Sequence, residues 1–190
     1  MNSDVEHIKT KQEKSSEYLW EKRREWDQIV QQLSSLQLQY QRQPRHSNVK
    51  SKKNDSIFEL SSLLSNLNGL AQSLFYSTNN PIGKDVFPSI HPFSSNKESG
   101  TCLLLVADLV KYYNYEEDPF SKLCQLTVTL FRNMPVGLSA QSFDNLISTL
   151  INPKPSSLSF HSKLEVLRAL SHALLENASK LGPSVCFYYL

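Results

Sequence analysis

Between residues 17 and 44 the apolar positions return at wide, even intervals. In EYLWEKRREWDQIVQQLSSLQLQYQRQP, Leu19, Trp26, Leu33 and Tyr40 stand seven apart, and Ile29 and Leu36 fall three beyond Trp26 and Leu33. That spacing predicts an amphipathic helix with a heptad seam. No Gly or Pro interrupts the chain from Val5 to Gln43, and Pro44 ends the helix. Val5 and Ile8 keep the same register, but Gln12, Ser15 and Lys22 occupy later seam positions, so the seam is hydrophobic only from Leu19 to Tyr40. Val30 widens the stripe beyond two positions, which suits docking into a groove as well as a two-stranded coiled coil.

The pattern then stops. RQPRHSNVKSKK carries Arg42, Arg45, Lys50, Lys52 and Lys53, no acid and no apolar period, and reads as a flexible basic linker. Its mobile cations would grip phosphate only weakly and without reading sequence.

From Ser56 onward helical periods follow one another. Ser56-Ile57-Phe58-Glu59 has the form of a capping box, and Leu60, Leu63, Leu64, Leu67, Leu70, Ala71 and Leu74 continue its stripe, with Gly69 expected at a close packing contact. Pro81, Pro88 and Pro92 make residues 79–100 a loop, after which Thr101 is expected to cap a helix through CLLLVADLVKYYNY. Asp118-Pro119 opens a helix running to Pro135, Ser139 opens another that Asn152-Pro153 stops, and Ser159 opens the last. In that last helix Phe160, Leu164, Leu167, Leu170 and Leu174 are spaced as a core stripe, closed by Gly182-Pro183. Strand signals are almost absent.

The expected fold class is therefore all-α. A long N-terminal amphipathic helix (1–43) and a basic linker (44–55) precede a helical domain (56–190) of about five helices, packed as a bundle or as a HEAT-like α-solenoid. No fixed sequence period distinguishes the two. The final SVCFYYL is apolar, as expected of a truncated helical domain or of an edge that a partner covers.

Composition narrows the partners. A formal charge of +2 on 190 residues does not mark the whole chain as a nucleic-acid or membrane binder. Cys102, Cys124 and Cys186 are odd in number and lie among apolar neighbours, which points to reduced thiols in an intracellular compartment. Neither an apolar leader nor a membrane-length apolar run is present in the sequence. Asn177-Ala178-Ser179 matches the glycosylation triplet, but within a helical period of an intracellular chain it reads as coincidence.

Catalytic patterns are missing. The five glycines form no phosphate loop, and CxxC, HExxH and GxSxG do not occur. His161 and His172, eleven apart, share a helical face without a third ligand in sequence and read as surface or interface residues. Glu116, Glu117 and Asp118 precede Pro119 and read as helix-terminal charges rather than an acid–base pair. A non-enzymatic protein without cofactor, metal or small-molecule substrate is expected.

One resemblance adds a pathway. The Trp26, Val30, Leu33 pattern in EWDQIVQQLSSLQLQY, the polar basic gap, and ADLVKYYNYEEDPFSKLCQLTVTLF together resemble the Mei-four family of meiotic double-strand-break accessory proteins. The resemblance implies a non-catalytic nuclear subunit whose N-terminal helix joins a Rec-type partner carrying a PH-like domain. The resulting DNA-associated assembly would promote break formation by a topoisomerase-like enzyme. Carried over by position, the partner-facing residues would be Leu19, Trp26, Ile29, Val30, Leu33 and Leu36, with Trp26 as anchor and Trp20 at the rim; weak non-specific DNA binding would fall to Arg42, Arg45, Lys50, Lys52 and Lys53. Four alternatives stay open: an adaptor of another nuclear pathway such as checkpoint signalling, a coiled-coil homodimer through residues 19–40, an unrecognised enzyme or ligand-binding helical domain, which would require a concave polar pocket among the core helices, and a helix that packs back on its own core.

Overall fold

A computed structural model describes residues 2–42, 50–78, 96–133, 136–152 and 159–177. Within them the chain forms six helices: α1 (Asn2–Arg42), α2 (Lys50–Thr78), α3 (Asn96–Tyr112), α4 (Glu117–Asn133), α5 (Ala140–Ile151) and α6 (Phe160–Asn177). Among the described residues there is no strand, so the all-α expectation holds.

Two helix starts follow the sequence closely. The Ser139 hydroxyl accepts the backbone N–H of Ser142 and caps α5, and the Ser159 hydroxyl accepts that of Ser162 and caps α6. Two others lie further upstream than expected. α2 begins at Lys50, not Ser56, since nothing between Val49 and Ser56 breaks a helix, and Lys50, Lys52 and Lys53 belong to its first turn. α3 begins at Asn96, so Thr101 is an interior residue whose hydroxyl donates to the Lys97 carbonyl at 2.9 Å. The rest of the expected 79–100 loop lies outside the described residues, as do Arg45 and most of the expected linker.

Contacts between the helices follow a regular scheme. The principal ones join α1 to α2, α3 to α4 and α5 to α6, and otherwise link each helix to the second one after it. Within each such series the helices run in the same direction. α1 and α3 meet near their starts through Arg23 and Glu98 and near their ends through Tyr40 and Tyr112. α3 and α5 meet through Gly100 and Gly137 at one end and Tyr115 and Asn152 at the other. In the second series Asn68 of α2 donates to the Lys122 carbonyl of α4, and Glu117 of α4 accepts from Ser159 and Ser162 at the start of α6. The result is two layers, α1–α3–α5 and α2–α4–α6, built from three successive helix pairs. That is solenoid stacking, in which each unit touches only its neighbours.

The N-terminal helix is part of this stack. Trp26, Ile29, Leu33, Leu36 and Tyr40 join the same buried cluster as Leu60, Leu64 and Leu67 of α2 and Leu103, Val106 and Val110 of α3. The expected separation into a tethered helix and an independent body is thus not what the packing contains. A five-position apolar seam finds two apolar faces in its own chain, and burying it there removes it from water at no translational cost. In the middle of the stack α4 is covered on several sides, with Phe120, Leu123, Cys124, Leu126, Leu130 and Phe131 buried.

The turn between α3 and α4 is tight. Asn114 and Tyr115 take left-handed backbone angles, φ 56° and 58°. A non-glycine residue there costs roughly 1–2 kcal/mol. The conformation is held by Tyr115 N–H donating to the Val110 carbonyl at 3.0 Å, by the Asn152 amide donating to the Tyr115 hydroxyl at 2.6 Å, and by an edge-on contact of Tyr115 with Phe120.

Candidate interaction surfaces

Of the residues assigned by resemblance to a partner, Trp26, Ile29, Leu33 and Leu36 are buried and Val30 is half-buried against the core; the side chain of Leu19 lies outside the described residues. Burial of Trp26, Ile29, Leu33 and Leu36 places these four in the core of the stack. Of the residues assigned to DNA, Arg42 closes α1 and Lys50, Lys52 and Lys53 open α2, while Arg45 lies outside the described residues.

The two tryptophans exchange the roles expected of them. Trp26 is 2% exposed and Trp20 is 66% exposed. Glu17, Tyr18, Trp20 and Glu21 are all exposed, and the first buried side chain described on α1 is Trp26. The Lys22 ammonium sits 5.7 Å from the centre of the Tyr18 ring and pairs with Glu25 at 2.9 Å, a hydrogen bond that raises its pKa above the usual lysine range. One turn on, Arg23 pairs with Asp27 and reaches Glu98 on α3. Burial works against its charge, but these two carboxylates outweigh it and hold its pKa above the usual value. Tyr18, Trp20 and Lys22 thus form an exposed aromatic, cation-bearing stretch just ahead of the buried residues described on α1.

α6 departs from the expected orientation. Phe160, Leu164 and Leu167, expected in the core, face outward with Leu175, whereas Ser162, Glu165, Ala169 and Ala173 are buried. The reason lies at the contact with α4: small residues let the two helices approach closely, and the Ser162 hydroxyl donates to Glu117 at 2.8 Å. Leu170 and Leu174 lie between the two faces and are half-buried.

Two of the three acids before Pro119 have a structural task that the sequence did not reveal. Glu117 accepts from the Ser162 hydroxyl and from the Ser159 backbone N–H, an unpaired donor at the start of α6, and these bonds hold its carboxyl below the usual range. Burial of Asp118 opposes ionisation, yet hydrogen bonds from Lys122 and Ser61 outweigh it and lower its pKa as well. Both carboxylates are committed to helix contacts, an arrangement unlike that of a general acid and base.

No reactive constellation appears among the described side chains. No group of three His, Cys, Asp or Glu there can hold a metal ion. His161 is exposed, 3.8 Å from Glu165. Cys102 and Cys124 are buried and free, and loss of solvation pushes both thiols up to about 12; Cys186 lies outside the described residues. Two open grooves border α1. One, lined by Gln28, Gln31, Gln32, Ser35, Gln39 and Glu59, is polar; the other, about 600 Å³, lies beside the stacked Tyr40 and Tyr112. Neither brings a nucleophile to a base. No described helix is long and apolar enough to cross a membrane.

In comparisons with known proteins, no family model, curated protein or solved structure matched the chain.

Proposed function

We propose that the protein is a non-catalytic adaptor subunit that docks a partner protein on the N-terminal part of α1. The observation that carries this reading is Trp20, a large aromatic with two thirds of its surface in water, beside the exposed Tyr18 and the Lys22 and Glu25 charges. Large aromatics with a charged rim commonly anchor protein interfaces. The resemblance to the Mei-four family supplies the pathway: a nuclear, DNA-associated assembly promoting meiotic double-strand-break formation, with a Rec-type subunit carrying a PH-like domain as partner. In this reading the anchor moves from Trp26 to Trp20, six residues or about 1.7 turns upstream. Arg42, Arg45, Lys50, Lys52 and Lys53 add a weak, sequence-blind attraction to DNA phosphate.

The experiment is co-purification of the Rec-type subunit with the tagged chain. Trp20→Ala is expected to weaken retention by about thirtyfold, as loss of an interface anchor of about 2 kcal/mol does, while leaving the melting temperature unchanged. Equal retention by Trp20→Ala and the parent chain contradicts the docking site. Failure of the parent chain itself to retain that subunit contradicts the pathway.

A further inference from the structure

The two ends of the α2–α4–α6 layer differ. On α2, the first helix of the layer, Phe58 is exposed, but Glu59, Ser62, Ser65, Asn66 and Gln72 around it are polar, so that face is mostly hydrophilic, as expected of a capping unit facing water. On α6, the last described helix, the outward positions are Phe160, Leu164, Leu167 and Leu175, exposed at 83%, 36%, 61% and 75%. Their spacing of four, three and eight residues keeps them on one stripe of the helix. That stripe lies opposite Ser162, Glu165, Ala169 and Ala173, the face that rests on α4. α6 therefore offers an exposed apolar stripe on its far side, while its near side packs Val166, Ala169 and Ala173 toward the core, in the direction along which the layer stacks.

We infer that this face of α6 receives an acidic amphipathic helix of a partner protein, laid on α6 as α6 is laid on α4. Two observations select this occupant. The first is continuity: the direction of α2, α4 and α6 repeats, so a further helix is the shape that extends the layer. The second is charge. The exposed ionisable side chains described on α6 are Lys163, Arg168 and His161, while its described acid, Glu165, is turned inward and engaged by Arg168 at 3.2 Å. The acid nearest the start of α6, Glu117, is occupied by Ser159 and Ser162. An apolar stripe flanked by the Lys163 and Arg168 cations fits a helix that carries leucines or aromatics every three to four residues, flanked by Glu or Asp. This surface is separate from the one around Trp20.

The test uses the full chain and two fluorescein-labelled synthetic helices with identical leucine stripes, one flanked by glutamates and the other by lysines. The glutamate peptide is expected to bind about tenfold or more tightly than the lysine peptide. Leu167→Glu should abolish binding, and the double variant Lys163→Glu, Arg168→Glu should reverse the preference between the peptides. Equal affinity for the two peptides, or none for either, overturns the inference. So does concentration-dependent dimerisation of the parent chain that Leu167→Glu removes, which assigns the face to a second copy. A lower melting temperature of monomeric Leu167→Glu also overturns it, because the face is then covered by the chain itself.

Discussion

The Tyr40 ring stacks on the Tyr112 ring with centroids 4.7 Å apart, and Tyr113 meets Tyr40 edge-on at 5.0 Å. Toward the other end of the same pair of helices, Arg23 and Glu98 are 3.0 Å apart. α1 is thus fastened to α3 at two well-separated points, with Trp26, Ile29, Leu33 and Leu36 buried between them. The ion pair, partly open to water, contributes only about 0.2–1 kcal/mol. Most of the attachment is apolar burial.

Removing that burial should be felt as stability. Trp26→Ala empties a site that is 2% exposed, and Leu33→Ala one that is fully buried. Losses of about 3–5 and 2–5 kcal/mol are expected, enough to lower the melting temperature by at least about 5 °C. Thermal denaturation followed by circular dichroism is the check. Trp20→Ala, at an exposed position, should leave the melting curve in place.

The two described glycines that lie within helices should respond to alanine in opposite directions. A Cβ on Gly100 would stand 2.5 Å from the Gly137 carbonyl oxygen and 2.9 Å from Leu138 Cδ2, so α3 and the segment leading into α5 must separate. Gly69 is exposed with nothing within 4 Å, contrary to the close contact expected there. Gly69→Ala should stabilise by about 0.5–1 kcal/mol through helix propensity, whereas Gly100→Ala should destabilise by about 1–3 kcal/mol. Paired urea titrations would measure both.

Glu117 gives the α4–α6 contact a pH dependence. Its folded pKa lies below the ordinary carboxyl value because Ser159 and Ser162 donate to it. The stabilisation is therefore fully present above the ordinary value of 4.5 and is lost as pH falls through the lower folded value. Melting temperatures of the parent chain should fall more steeply below about pH 4.5 than those of Glu117→Gln, whose amide does not titrate. Parallel curves for the two proteins would remove Glu117 from this role.

Cys102 and Cys124 should be inert in the folded chain. Both thiols are pushed up to about 12 by burial, so almost no thiolate exists near pH 8. In a Cys186→Ser chain, labelling by iodoacetamide at that pH is expected only after denaturant is added. Rapid labelling of either thiol without denaturant contradicts its burial.

Much of this architecture was legible in the sequence. The Ser139 and Ser159 caps and the seam of α1 were each carried by local chemistry, and the structure contains them; Pro119 lies in the first turn of α4 as expected, but the helix begins at Glu117, so Asp118 is not its cap. The repeat was not legible, because equivalent positions are unevenly separated: Tyr115 meets Asn152 37 residues on, Glu117 meets Ser159 42 on, and Asn68 meets Lys122 54 on. No single period survives such unequal connections. The site was read less well. A heptad seam specifies that something apolar will cover it, but not whether that cover is a partner or α2 and α3. Likewise the Phe160–Leu164–Leu167 spacing defines a stripe, while only the small residues Ala169 and Ala173 hint which face α4 prefers.

Comparing the melting of the full chain with that of a chain beginning at Lys50 decides whether α1 is the first layer of the stack. The shortened chain is expected to expose Leu60, Leu64, Leu103 and Val106, to bind a hydrophobic dye, and to melt at a much lower temperature or without a cooperative transition. If it instead melts at the temperature of the full chain, without dye binding, α1 is an appendage and its seam is free for a partner after all.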